Sequence, residues 1–119
     1  MPHLHIEYTA NLPDLDEQAL MAALNQVVCS HPSVLHDSEV KARIHRIASF
    51  RIGTQPQDRA FVHVLLQLLE GRSEATRQEL AQTLGAVLRQ QVPPRPGLHV
   101  QLSVDVAEMN RPCYYKHQG

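Results

Sequence analysis

The feature that most constrains the fold of this chain is an internal repeat of its apolar pattern at an offset of 60 residues. The repeat superimposes two segments of helical period, and large aliphatic side chains occupy the matched positions. These are Leu20 with Leu80, Leu24 with Leu84, Val27 with Val87, and Val28 with Leu88. Ile44 also matches Val104 at the same offset, in segments where apolar and polar residues alternate. A repeat of this kind predicts two copies of one supersecondary unit.

The surrounding segments predict the order strand, helix, strand, repeated once. Alternation of apolar and polar residues is typical of strands, and apolar residues three and four positions apart are typical of a helix with one buried face. Asp14 followed by Glu17 has the form of a capping pair, and Ser73 is a good N-cap. The predicted strands cover 3–9, 42–52, 60–69 and 98–107, and the predicted helices cover 14–30 and 73–91, with a turn at 53–58.

Each helix is long enough for the right-handed crossover that joins two parallel strands. Two such units side by side give an α/β (α+β) fold, in which a four-stranded mixed sheet has both helices on one face. We predict one domain over 1–119, with β-α-β units at about 2–53 and 60–108. The near-continuous apolar segment 60–69 is the best candidate for a central strand.

The second face of this sheet has no cover from the chain itself. Its side chains mix apolar and polar types, and are His45, Ile47, His63, Leu65 and Gln101. Such a face is too apolar to remain open to solvent and too polar for a core. We therefore expect the chain to associate with copies of itself in a closed symmetric assembly.

The charge balance argues against a nucleic-acid partner. The chain has 119 residues and a formal net charge of −1, whereas phosphate contacts require clustered Lys and Arg. There is no apolar segment long enough to span a bilayer and no signal-like segment at the N-terminus, so we expect a cytoplasmic protein without a membrane partner. Cys29 and Cys113 show neither a disulfide framework nor CxxC spacing, and both are expected to be reduced thiols.

Pro2 leads directly into the first predicted strand. If Met1 is removed, the secondary amine of Pro2 lies within the fold, where it is both a base and a titrating cation. The alternative is that Pro2 serves only as a rigid entry to an edge strand, where a missing N–H does little harm.

Several short segments give the chain a resemblance to a known family. Together they resemble the 5-carboxymethyl-2-hydroxymuconate isomerase family of the tautomerase superfamily, over nearly the whole chain. The segments are Pro2-His3 with Ile6-Glu7, Lys41-Ala42-Arg43-Ile44-His45, Ala60-Phe61-Val62-His63, Gly71-Arg72-Ser73 with Arg77-Gln78, and Tyr115-Lys116. The resemblance implies a homotrimer of tandem β-α-β units and an isomerase of aromatic acid catabolism.

The resemblance also implies site residues. Pro2 is the expected catalytic base, which ketonises an unsaturated 2-hydroxy polycarboxylic acid. A substrate with several carboxylates requires cations, and Arg72 is the strongest candidate, because it precedes a predicted helix whose N-terminus favours anions. Lys41, Arg43 and Lys116 are further candidates. Lys41 occupies a position where well-known members of the family have arginine, so the two-point geometry of a guanidinium is lost there.

No metal or cofactor is expected. The chain has eight histidines, and His3, His5, His45 and His63 could meet across the sheet, but alternation on a polar strand face explains them more simply. We expect them to form hydrogen bonds or to pack between subunits. Two alternatives to the isomerase remain open: a superfamily relative that hydrates or dehalogenates another unsaturated acid, and a trimeric binding or structural protein without catalytic activity.

Overall fold

The computed structural model of the chain describes residues 1–55 and 57–119. Two β-α-β units follow one another along it. The strands and helices are β1 (His3–Thr9), α1 (Glu17–Cys29), β2 (Lys41–Ile47), β3 (Arg59–Leu69), α2 (Glu74–Gln91) and β4 (His99–Met109), and two short 3-10 helices cover Asp37–Glu39 and Arg111–Cys113.

The four strands form one mixed sheet in the order β2-β1-β3-β4. Within each unit the two strands are parallel, so that Ile6 pairs with Ile44 and Val64 with Val104. The units join through the antiparallel pair β1 and β3. The predicted four-stranded mixed sheet with two helices is confirmed, and β3 is an inner strand as its apolar character indicated.

The core lies between the sheet and both helices. It contains one face of each inner strand and the buried stripe of each helix. The equivalent helix positions Leu20 and Leu80, Leu24 and Leu84, and Val28 and Leu88 are all buried in it. The two helices therefore cover one face of the sheet, and burial of their apolar stripes, more than helix propensity, stabilises them.

The opposite face of the sheet is open in the chain by itself. Glu7 pairs with both His45 and His63, which places these side chains on the same face, away from the core. Side chains on this face of β3, such as His63 and Leu65, are only half-buried. A cavity of about 280 Å³ on this face is lined by His5, Glu7, Arg43, His45, His63 and Leu65, together with Ile6.

Strand β2 is shorter than predicted. It ends at Ile47, and the segment 48–52 is not a strand. The reason lies in its neighbour: β1 ends at Thr9, and the amide of Ala10 makes the last bond between the two, to the carbonyl of Ile47. Beyond that point β1 has turned away, and an alternating sequence without a partner strand does not form a ladder.

The cap predicted for the first helix is wrong. The N-cap is Asp16, whose carboxylate accepts a hydrogen bond from the backbone N–H of Ala19. Asp14 instead forms an ion pair with Arg95, at 2.5 Å. The second cap, Ser73, accepts from the backbone N–H of Thr76 as predicted.

The remaining boundaries differ at the ends of the second unit. Strand β4 continues to Met109, beyond the predicted end at 107, because β3 extends to Leu69 and the two residues pair. In the predicted turn 53–58, Gly53 has a positive φ of 64°, which suits glycine, and Pro56 lies outside the described residues.

None of the helices in the described part of the chain combines the length and the apolar character needed to cross a membrane.

Candidate active site at the start of the chain

Pro2 is buried at the entrance to β1. It belongs to the same side of the strand as the core residues Leu4 and Ile6, because alternate residues share a face. Its carbonyl oxygen accepts a hydrogen bond of 3.1 Å from the backbone N–H of Lys41, which begins the parallel pairing of β1 with β2. The position of Pro2 is thus fixed by the sheet itself.

Charged side chains from distant parts of the sequence surround the chain start. The amine of Met1 lies 3.7 Å from a carboxylate oxygen of Glu39. Burial lowers the pKa of this amine, Glu39 raises it, and the cations Lys116, Lys41 and Arg72 lower it further. The charges of three of the four predicted cations thus favour the neutral form of an amine at this end of the chain.

Arg72 is held at the turn between β3 and α2. Gly71, at a φ of 127° that suits glycine, turns the chain, and Ser73 then caps the helix. The Nη1 group of Arg72 donates to the carbonyl of Leu69 at 3.1 Å, and its Nε and Nη2 groups donate to Ser33 Oγ at 3.1 and 2.8 Å. Burial and the charge of Arg111 lower the pKa of Arg72, which remains a cation at neutral pH.

Lys41 and Arg43 share one face of β2, because the strand begins at Lys41. The ammonium of Lys41 donates to the carbonyl of Glu39 at 3.1 Å, near the chain start. Arg43 extends over the open sheet face, where its terminal nitrogens lie 3.2 Å from His3 Nδ1 and 3.3 Å from His5 Nε2. Of these two cations, Lys41 is the one whose charge acts on the Met1 amine.

The segment after β4 returns to the start of the chain. His3 Nε2 and the hydroxyl of Tyr114 are 2.9 Å apart. Because Arg43 can only donate, His3 Nδ1 accepts from it, so Nε2 carries the proton and donates to Tyr114. Burial, followed by the charge of Arg43, lowers the pKa of His3, which favours this neutral form. The contact with Tyr114 thus brings the segment after β4 to the start of β1, and Lys116 lies two residues further along this segment.

Three residues of this site were not predicted from the sequence: Glu39, Ser33 and Tyr114. Glu39 is near Met1 because His3 pairs with Lys41, so the strand register is the signal that would have found it. Ser33 and Tyr114 lie in connecting segments with no periodic pattern, and nothing in the sequence relates them to Arg72 or His3.

The larger cavities lie elsewhere. One of about 650 Å³ lies between α2 and the edge strand β4, lined mainly by apolar side chains together with Arg89, Gln90 and His99. None of the predicted site residues lines it. Within residues 1–55 and 57–119, there is no group of three or more His, Cys, Asp and Glu side chains that could hold a metal ion. His63 instead contacts Ser103 Oγ at 2.6 Å, and His5 contacts Gln67.

Comparison with known proteins decides the family. The family model described as 5-carboxymethyl-2-hydroxymuconate isomerase matches residues 2–119. The chain belongs to the 5-carboxymethyl-2-hydroxymuconate isomerase family. Since this is a family of isomerases, the chain is an isomerase. Comparison with curated proteins gives no match.

Solved structures agree with this family. A 5-carboxymethyl-2-hydroxymuconate isomerase from Deinococcus radiodurans R1 is 30% identical, with a TM-score of 0.89 over 99% of this chain and 90% of that chain. A 5-carboxymethyl-2-hydroxymuconate delta-isomerase is 22% identical, with a TM-score of 0.78 over 100% and 89%. A fused 4-OT described as an asymmetric trimer is 11% identical, with a TM-score of 0.75 over 98% and 94%, and shows the tautomerase fold alone.

Proposed function

We propose that this isomerase ketonises an unsaturated 2-hydroxy polycarboxylic acid similar to 5-carboxymethyl-2-hydroxymuconate, with the amine of Pro2 as general base once Met1 is removed. The observation that carries the proposal is the buried position of Pro2, whose carbonyl accepts from the N–H of Lys41. The charges of Lys116, Lys41 and Arg72 all lower the pKa of the amine at this end of the chain. The relatives named for this reaction support the substrate class, and we place the reaction in the catabolism of aromatic acids.

The environment of the chain start suits a neutral base. An α-amine in a model peptide titrates at about 7.7–8.0, and a secondary amine is intrinsically more basic. Burial lowers the pKa of the Met1 amine, Glu39 raises it and the three cations lower it, so that the pKa is lowered overall; we expect the same direction for the Pro2 amine that replaces it. A base with a pKa near the working pH is the most effective proton shuttle.

The proposed reaction is an intramolecular proton transfer. Neutral Pro2 takes the proton from the 2-hydroxyl group of the dienol, and the oxygen becomes the 2-oxo group. The double bonds at carbons 2 and 4 are replaced by one at carbon 3, and the protonated Pro2 returns the proton to carbon 5. The atoms and electrons balance within substrate and base.

The cations would bind the three carboxylates of such a substrate. Arg72 has a planar fork that matches a carboxylate in two places, whereas Lys41 and Lys116 act as point charges. Arg43 already contacts two histidine rings. We therefore propose that it either orients these rings on the open face or binds a carboxylate that reaches this face.

We further propose that the working form is a homotrimer. The sheet has two unpaired edges, β2 and β4, and one open face with half-buried Phe61 and Leu65. Neighbouring copies would cover this face and the cavity beside β4. In such an assembly a neighbouring subunit could complete the wall of each site.

A substrate panel tests the proposal. The protein, shown by intact mass to begin at Pro2, is mixed with the dienol tricarboxylate, and loss of its ultraviolet absorbance is followed. We expect rapid ketonisation, and slower ketonisation of a dienol with one carboxylate. Release of halide from a halogenated acrylate without ketonisation would favour a dehalogenase, and hydration alone would favour a hydratase. Inertness toward every substrate would favour a binding or structural protein.

A further inference from the structure

The orientation of Arg72 depends on a side chain from another part of the sequence. Ser33 lies in the connection between α1 and β2, and its Oγ accepts from Arg72 Nη2 at 2.8 Å and from Nε at 3.1 Å. These two bonds hold one edge of the guanidinium, while the carbonyl of Leu69 accepts from Nη1 at 3.1 Å. A guanidinium fixed along one edge and at one terminal nitrogen cannot rotate freely.

These contacts leave a defined part of the guanidinium for a ligand. Of the five N–H groups that an arginine has, the described contacts use one on Nε, one on Nη2 and one on Nη1. In the part of the chain that the structure describes, one N–H therefore remains on each terminal nitrogen. A carboxylate requires two such donors for a two-point contact.

His31 determines how the Ser33 hydroxyl is oriented. The backbone N–H of Ser33 donates to His31 Nδ1 at 3.2 Å, and a backbone amide can only donate, so Nδ1 is an acceptor. Ser33 Oγ lies 2.7 Å from the same nitrogen and must therefore donate its single proton to it. Both acceptor positions of the hydroxyl are then available to Arg72, which occupies them.

The segment that carries Ser33 is itself held by backbone bonds. The amide of His31 donates to the carbonyl of Val28 at 3.1 Å, and the amide of Val34 donates to the carbonyl of His31 at 3.0 Å. The chain from α1 to Ser33 thus forms a short hydrogen-bonded extension of the helix end. Its position relative to Arg72 is set by the core packing of α1.

We propose that Ser33 and His31 are positioning residues, which hold Arg72 in the orientation that receives a substrate carboxylate. This inference rests on the proposed function, in which Arg72 binds a carboxylate. The structure assigns Ser33 the direct contact and His31 the orientation of its hydroxyl. Neither residue touches the reacting atoms, so their removal changes binding more than the proton transfer.

The test measures kcat and KM for the dienol tricarboxylate in Ser33→Ala, Ser33→Thr and Arg72→Ala, together with binding of propane-1,2,3-tricarboxylate by calorimetry. We expect Ser33→Ala to raise KM and the dissociation constant by about threefold to tenfold, because Arg72 loses the two hydrogen bonds along one edge but keeps its charge and its bond to Leu69. The value of kcat stays within about twofold, because the lost contact acts equally on ground and transition states. Ser33→Thr keeps the hydroxyl and restores KM.

His31 provides a second, independent comparison. In His31→Asn the side-chain oxygen replaces Nδ1 as an acceptor, so we expect KM close to that of the unaltered protein, whereas His31→Ala raises KM in the same direction as Ser33→Ala. Ser38→Ala, at an exposed serine of the same connection, is the matched control. Thermal unfolding of each variant shows whether a change in KM reflects loss of structure.

The outcomes separate this inference from the proposed function. If Arg72→Ala raises KM and Ser33→Ala does not, the inference is overturned and the role of Arg72 stands. A lower KM in Ser33→Ala would also overturn it, because Ser33 would then compete with the carboxylate. If Arg72→Ala changes neither KM nor binding of propane-1,2,3-tricarboxylate, the role of Arg72 in the proposed function falls and the inference falls with it.

Discussion

Lys41 donates its backbone N–H to the carbonyl oxygen of Pro2 at 3.1 Å. This bond incorporates Pro2 into the sheet through its carbonyl alone, since proline has no N–H to contribute to a ladder. The same pairing brings the Lys41 side chain and the neighbouring Glu39 toward the start of the chain. The sheet thus positions the proline while its nitrogen has no structural role.

The charges near the chain start predict opposite effects on the pH dependence of catalysis. The base must be neutral, so kcat/KM rises with pH through its pKa. Glu39 raises the pKa of the Met1 amine and Lys116 lowers it. If they act likewise on Pro2, Glu39→Gln moves the acid limb of the profile to lower pH and Lys116→Gln moves it to higher pH. Shifts in the same direction, or none, would contradict this electrostatic account.

Arg72→Ala is expected to lower kcat/KM for the tricarboxylate by about 10- to 100-fold, since hydrogen bonds to a charged group contribute about 1.5–3 kcal/mol. Arg72→Lys should recover part of this loss, because it keeps the charge without the fork. Arg51→Ala, at an exposed arginine in the segment after β2, is the matched control. Steady-state kinetics on the three variants would refute the role of Arg72 if all gave the same value.

Much of the fold could be predicted because the apolar residues that face the core recur with the period of the helix or strand that carries them. The repeated aliphatic positions identified both helices, and the continuous apolar run identified β3 as an inner strand. The wrong predictions concern positions where a residue from a distant part of the sequence determines the local structure. Asp14 and Asp16 both precede the first helix, and the ion pair of Asp14 with Arg95 leaves the cap to Asp16. The ion pair joins residues 81 positions apart, so the local pattern does not show which aspartate becomes the cap.

The candidate site was only partly predictable for the same reason. Pro2, Arg72, Lys41 and Lys116 were proposed through resemblance to a family. In the structure a backbone hydrogen bond joins Pro2 to Lys41, and the charges of Lys116, Lys41 and Arg72 lower the pKa of the Met1 amine. Glu39 depends on the register between β1 and β2, and Tyr114 depends on the path of the segment after β4. The strand register and the chain path are both determined by packing between residues that lie far apart in the sequence.

The repeated helix positions predict a large loss of stability on truncation. Leu84 is fully buried, whereas Leu35 is 79% exposed. Leu84→Ala should lower the free energy of unfolding by about 2–5 kcal/mol, because it removes buried methyl groups and leaves a cavity. Leu35→Ala should change it by less than about 0.5 kcal/mol. Urea denaturation measures both, and equal effects would contradict the assigned core.

The open sheet face predicts the assembly. Sedimentation at micromolar concentration should give three times the chain mass of 13.4 kDa. Leu65→Glu places a charge at the half-buried centre of this face and should lower the observed mass, while Glu79→Gln, on an exposed part of α2, should not. A single-chain mass for the unaltered protein would exclude the trimer.

The most direct test of the account is the ketonisation rate of Pro2→Ala, compared with unaltered protein that intact mass shows to begin at Pro2. General base catalysis contributes about 100- to 10,000-fold to a rate, so we expect a loss of kcat/KM approaching this range. Protein with extra residues before Pro2 should be similarly slow, because its proline nitrogen is an amide. Equal rates for the unaltered and Pro2→Ala proteins would contradict the central claim.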